Sequence, residues 1–288
     1  MFQPTERSCS ILLWGFHRKL GSVPVQLLLG LCLFLAACGN RQEKLADATS
    51  EVIHEFRIAA AADLKFALEE IKQEYLQSHP NSKIETTFGS SGTLFAQLSH
   101  DAPFDLFLSA DLKYPHQLVE QGHADADTEF KYAIGHVVVW VPNQSPLNLE
   151  KLGIQALTDA TVKKIAIANP KLAPYGRAAE AALKNLKVYD QIQDRLVLGE
   201  NISQTSQFIE TGAADIGLIS LSMALSPALK EKGRLWRVPS DAYPKLEQGG
   251  VILKQCRDLA AAQDFKAFLV GPKGAAILKK FGFDLPGE

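Results

Sequence analysis

Four short segments of this 288-residue chain carry residue types suited to a binding site: Ala61-Ala62-Asp63, Gly89-Ser90-Ser91-Gly92-Thr93, Ala173-Pro174-Tyr175-Gly176 and Gly199-Glu200-Asn201-Ile202-Ser203. Each is small, polar or glycine-containing, each follows an apolar run, and each opens a stretch of helical periodicity. A helix N-terminus leaves backbone N–H groups without partners and carries about half a positive charge. Several such ends converging would hold an oxyanion without any lysine or arginine. Taken singly, Asp63, Ser91 and Ser203 read as ordinary helix caps, and the Gly-Ser-Ser-Gly segment as a flexible turn. The set means more because all four turns fall at the same end of successive strand–helix units.

The same residues argue against an enzyme. Gly89-Ser90-Ser91-Gly92 is not the G-x-S-x-G nucleophile elbow. The histidines at 54, 79, 100, 116, 123 and 136 show no H-E-x-x-H or other metal spacing. No carboxylate pair stands out as general acid and base, and neither a P-loop nor G-x-G-x-x-G is present. Arg177, directly after Gly176, reads either as a surface partner or as a group closing an interface between lobes. Lys65 and Lys171 read as solvated charges. A formal net charge of −2 gives none of the basic excess that tracks nucleic-acid phosphates.

The elements that must position the four turns alternate strand and helix. Apolar runs at 56–61, 83–88, 104–109, 164–168, 195–198 and 215–220 read as strands, with helices at 63–78, 93–99, 114–121, 177–186 and 203–211, and another near Leu157. Strands follow at 134–141, 234–238 and 249–253, and two helices close the chain at 258–270 and 273–281. Helices spacing buried strands predict α/β architecture with mainly parallel sheets, in which ligands bind beyond the carboxyl ends of the strands. The runs 134–141 and 249–253 bracket the middle series. They predict two lobes joined by two crossings, with 55–133 and 247–288 forming lobe one and 134–246 lobe two.

The beginning of the chain reads as an export signal. Arg7, Arg18 and Lys19 precede a mostly apolar run over 25–37, too short to span a bilayer comfortably. That run ends in Leu35-Ala36-Ala37-Cys38, which resembles a lipoprotein box: cleavage before Cys38, acylation of its thiol, and a polar tether over 38–54. The alternative is an ordinary signal peptide with a nearby A-x-A-like site. Cys9 and Cys32 leave with residues 1–37, so Cys256 remains as the one cysteine beyond the anchor, with no disulfide framework.

An ordered set of stretches resembles one known family. They are IAAAADLKFAL (58–68), FGSSGTLFAQL (88–98), APFDLFLSAD (102–111), VVVWVP (137–142), ANPKLAPYGRAAEAAL (168–183), GENISQT (199–205) and DFKAFLVGPKGAAILKKFGF (264–283). The chain is similar over nearly its whole mature length to the periplasmic molybdate-binding proteins of ABC transporters, the ModA family. The resemblance implies a type II periplasmic-binding-protein fold, two α/β lobes with a hinge. It implies a monomeric receptor, with no cofactor, that captures molybdate, and usually tungstate, in the interlobe cleft. The ligand passes to a membrane permease driven by a cytoplasmic ATPase, the membrane itself being met only through the lipid anchor.

Carried over by position, the resemblance implies that Ser91 donates hydroxyl and amide, and that Tyr175 and Ile202 each give a backbone N–H. Ser220 falls where some members place a ligating tyrosine. All of these, with Asp63, would meet the oxygens of the anion and not coordinate the metal. Asp63 departs from the serine common there. A carboxylate 4 Å from a dianion is repelled by about 4 kcal/mol per charge pair at an effective dielectric of 20. Asp63 is therefore expected to turn its carboxylate away, cap its own helix and offer only its N–H. The alternatives are a receptor for a sulfate-like oxyanion, or one in which Asp63 holds an amine-bearing ligand. A cavity of donors alone disfavours protonated phosphate, whose O–H would find no acceptor.

Overall fold

The computed structural model describes residues 53–287. The predicted signal segment, Cys38 and nearly all of the tether lie outside the described residues. In chain order the first elements are β1 (His54–Ala61), α1 (Lys65–Ser78), β2 (Ser82–Gly89), α2 (Ser91–Leu98), β3 (Leu106–Ser109), α3 (Lys113–Glu120) and β4 (Phe130–Gly135). Next come β5 (Val137–Pro142), α4 (Leu149–Leu152), β6 (Ile165–Ala168), α5 (Pro174–Asn185), α6 (Tyr189–Ile192), β7 (Leu196–Gly199), α7 (Ile202–Glu210), β8 (Ile216–Ser220), α8 (Leu221–Ala224) and β9 (Gly233–Arg237). The last are β10 (Leu246–Ile252), α9 (Leu259–Val270) and α10 (Pro272–Lys280). Among the described residues no helix is long and apolar enough to cross a membrane.

The strands form two five-stranded sheets, one per lobe, in the orders β2-β1-β3-β10-β4 and β7-β6-β8-β5-β9. Register places the turns. β1 and β2 run parallel with Ala61 opposite Gly89, so the Asp63 and Ser91 turns leave the first sheet at one level. β6 and β7 run parallel with Ala168 opposite Gly199, which levels the Tyr175 and Ile202 turns in the second.

In each sheet four strands run one way and one opposes them: β10 runs antiparallel to β3 and β4, and β5 antiparallel to β8 and β9. A chain that crosses between lobes enters a sheet from its carboxyl-end side, so the strand it starts opposes the parallel set. One expectation is corrected: the run 134–141 is two strands in different sheets, parted at His136. The first sheet takes Ile134, Gly135 and, on the return, Leu246. The continuous apolar pattern hid this break because both halves are buried: Val138, Val139 and Val141 are fully so, and Trp140 nearly so.

Each sheet carries its helices on the apolar faces that periodicity picks out. Ala67, Leu68, Ile71 and Tyr75 of α1 pack with Phe265 and Leu269 of α9 against β1. Ala178, Ala179, Ala182 and Leu183 of α5 pack against the second sheet.

Candidate functional site

The four turns meet in one narrow cleft between the lobes, with Asp63, Ser91, Tyr175 and Ile202 in its wall. Ala110, just past β3, completes that wall, and no lysine or arginine lines it.

Ser91 opens α2, with Ser90 as the capping residue whose hydroxyl accepts from the Thr93 N–H. That division of labour frees Ser91. Its Oγ accepts from the Ala110 N–H at 3.0 Å and it is almost fully buried, so the hydroxyl proton remains to be donated into the cleft. Ile202 is the first residue of α7, whose cap is Asn201, and Tyr175 is the second of α5, after Pro174. Backbone N–H groups at those positions have no intrahelical acceptor.

Asp63 does not cap a helix. It sits inside a short 3-10 turn, Ala62–Leu64, and neither that turn nor α1 is capped by a side chain. Its carboxylate is buried, and Oδ2 accepts from Gln248 Nε2 of β10 at 2.6 Å. Oδ1 is buried without a hydrogen-bond partner. Burial raises its pKa to about 6, against the opposing pull of Gln248, then Tyr175, then the nearby N–H groups of Asp63 and Leu64. The expected capping role fails because β10 brings Gln248 behind the turn, and a carboxamide donor 185 positions away competes with the local backbone. The cleft wall is thus not made of donors alone.

The Tyr175 phenol faces the same place and not the solvent. Its oxygen accepts from Gln248 Nε2 at 3.2 Å, and burial, followed by the Asp63 charge, holds its pKa far above the usual phenol range. The space for it exists because residue 135 is glycine: a Cβ there would lie 2.1 Å from the Tyr175 hydroxyl. Gln248 is a site residue that the reading of the sequence missed. Its signal was a polar residue inside the strand Leu246–Ile252, where the next residues are Gly249, Gly250 and Val251.

Ser220 is not brought to the cleft. It caps α8, accepting from the Met223 N–H at 3.2 Å, and exchanges a hydrogen bond with Ser222. Ser222 in turn donates to the Asp63 carbonyl across the lobes. Ser220→Ala should therefore cost about 1 kcal/mol, the usual loss for a cap, and lower the melting temperature by about 2–4 °C. Oxyanion affinity, measured by calorimetric titration, should hold; a drop beyond tenfold would return Ser220 to the site.

Arg177 closes the interface between lobes. It pairs with Asp111 at 2.5 Å and donates to the Tyr114 hydroxyl at 3.1 Å, both in lobe one. The Gly92 N–H donates to the Leu172 carbonyl of lobe two at 2.9 Å. Among the described residues no group of three or more His, Cys, Asp or Glu side chains is placed to hold a metal ion.

Comparison with known proteins places this geometry among relatives. Residues 56–284 match the family model for bacterial extracellular solute-binding proteins. The molybdate-binding protein ModA of Rhodobacter capsulatus is 34% identical over 265 residues, covering 92% of this chain and 96% of the relative. The solved periplasmic molybdate-binding protein of Azotobacter vinelandii superposes with a TM-score of 0.75 at 32% identity, covering 80% of this chain and 99% of that one. A putative ABC transporter substrate-binding lipoprotein of Bacillus subtilis is 27% identical, covering 87% of this chain and 93% of its own length.

Proposed function

This chain belongs to the bacterial extracellular solute-binding protein family, and within it to the ModA proteins, and from that premise we propose that it captures molybdate in the interlobe cleft for an ABC importer. The observation that carries this reading is the cleft itself: helix-opening turns from both lobes meet in it with no cationic side chain in the wall. Neutral donors fixed by two separate sheets suit a small tetrahedral dianion and no larger solute.

Capture proceeds by closure. Ser91 and the Asp63 N–H belong to lobe one, and the N–H groups of Tyr175 and Ile202 to lobe two. An anion bonded to both sets stabilises the closed arrangement by the difference between its affinities for the two states. The closed form is the one an importer's permease and ATPase would receive. Tungstate, with the same shape and charge, is the second ligand. The protein is exported as a monomer, and Cys38 is its acylation site, in line with the lipoprotein relative of Bacillus subtilis.

The test is calorimetric titration of the purified protein with molybdate, tungstate, sulfate and phosphate. Tight binding of the first two with weak sulfate supports the assignment; binding of none of them defeats it. In the same titration Ser91→Ala should weaken molybdate by about 1–3 kcal/mol, roughly five- to 150-fold, through the lost hydrogen bond to a charged ligand. Equal affinity in the variant would remove Ser91 from the site.

A further inference from the structure

The Asp63 carboxylate has no evident place in a dianion site. It lines the cleft, it is 2% exposed, Oδ2 is held by Gln248, and Oδ1 has no hydrogen-bond partner. Of the groups around it, the Tyr175 hydroxyl keeps a proton that can turn toward the carboxylate and so lowers the Asp63 pKa, after Gln248; the rest are committed elsewhere. Gln248 of β10 donates Nε2 to Oδ2 and to the Tyr175 oxygen. Ser222 of α8 donates to the Asp63 carbonyl, and Tyr132 of β4 donates its hydroxyl to the Ser109 carbonyl. The N–H groups of Asp63 and Leu64 lie near the carboxylate, but nothing meets Oδ1 in hydrogen-bonding geometry.

The titratable groups facing Asp63 are Tyr175 of α5 and Tyr132 of β4. Burial first, and the Asp63 charge second, keep both phenols protonated. Among the described residues none of the groups acting on Asp63 is a cation. A tetrahedral dianion would therefore enter a wall that already holds an uncompensated negative charge and an acceptor lacking a donor. One proton removes both difficulties.

Resting on the oxyanion reading above, we propose that Asp63 and the bound oxyanion share one proton, so that the site takes a tetrahedral dianion together with a proton from solvent. The proton lies on Oδ1 and is donated to an anion oxygen; no other bond is made or broken, and the complex gains one positive charge relative to the two free partners. Asp63 is then the residue that sets which protonation state of an oxyanion the cleft accepts. Its raised pKa of about 6 means that the empty site is mostly ionised at neutral pH, and a bound dianion raises that value further. Affinity is accordingly highest at or below about pH 6 and falls by up to tenfold per pH unit above it, until the bound-state value is reached.

The experiment is calorimetric titration of the wild-type protein with molybdate at pH 6, 7, 8 and 9, each in two buffers of different ionisation enthalpy. Dependence of the heat on the buffer counts the protons taken up. The expected result is an uptake approaching one proton per anion near pH 8 and an affinity that falls with pH. Asp63→Asn should abolish the uptake, flatten the profile and bind tenfold or more tighter than wild type at pH 8. Binding by wild type with no uptake and a flat profile overturns this proposal alone. Binding of no tetrahedral oxyanion at any pH overturns it together with the oxyanion reading. The two-buffer measurement needs only the wild type, so the answer stands even where the asparagine variant does not fold.

Discussion

Gly92→Ala is expected to weaken oxyanion binding roughly ten- to a hundredfold while barely changing the melting temperature of the empty protein. A Cβ at residue 92 would lie 2.6 Å from the Leu172 carbonyl oxygen and 2.9 Å from the Tyr114 hydroxyl. Leu172 belongs to lobe two, and its carbonyl is the acceptor of the Gly92 N–H. The obstructing atom is backbone, so no side-chain rotation relieves the contact. The added methyl is accommodated only by holding the lobes apart, which moves Ser91 away from the Tyr175 and Ile202 amides. Overpacking of this kind costs about 1–3 kcal/mol, and here that cost falls on the closed state alone. Titration calorimetry and thermal unfolding of the two proteins separate the effects. A variant that binds as tightly as wild type would show that binding needs no close approach of the Gly92 and Leu172 backbones. A variant with a much lower melting temperature and normal affinity would make Gly92 a folding requirement and not a closing one.

Much of this geometry was readable before any coordinates, because it is local. Ser91 and Ile202 stand where an apolar run meets helical periodicity, and a parallel sheet must bring such junctions to one end. What was not readable depends on pairing across long separations. Gln248 reaches Asp63 only because β10 returns from the second lobe and inserts between β3 and β4. Nothing near Asp63 in sequence announces that donor, and so the local rule, an acidic residue at a helix start, gave a cap that is not formed. Ser220 failed for the opposite reason. Its local signal, a serine closing an apolar strand, was a genuine cap for the four-residue α8, and position alone had suggested the ligand. The unbroken pattern of 134–141 reports burial and not membership of a sheet, so the crossing at His136 left no trace in periodicity.

The other large effect concerns a carboxylate far from the cleft, and it is one of stability. Asp105→Asn is expected to lower stability at neutral pH by about 1–3 kcal/mol, the range for lost hydrogen bonds to a charged group, the Arg257 partner being left half exposed to solvent. Asp105 is almost completely buried just before β3, and its two oxygens take four N–H donors. The Arg57 N–H reaches it at 2.6 Å and the Arg257 guanidinium at 2.7 Å, with the Arg257 backbone N–H and Nε completing the set. It thereby ties β1, β3 and the entry to α9 at one point. Burial alone would raise its pKa; the Arg257 side chain, then the backbone N–H groups of Arg257 and Arg57, outweigh that and bring it below the ordinary value. The sign follows. The stabilisation is fully present above the unfolded pKa near 4 and is lost as pH falls through the lower native value. Thermal unfolding should show wild type above Asp105→Asn at pH 7, by about 2–12 °C for a domain of this size, with the two curves approaching each other toward pH 3. A constant gap at both pH values would mean that packing, and not the charge, sets the cost. The consequence for binding is indirect and specific. The far end of β3 carries Ala110, whose N–H orients the Ser91 hydroxyl, so the same anchor that holds the strand in register also aims the donor in the cleft.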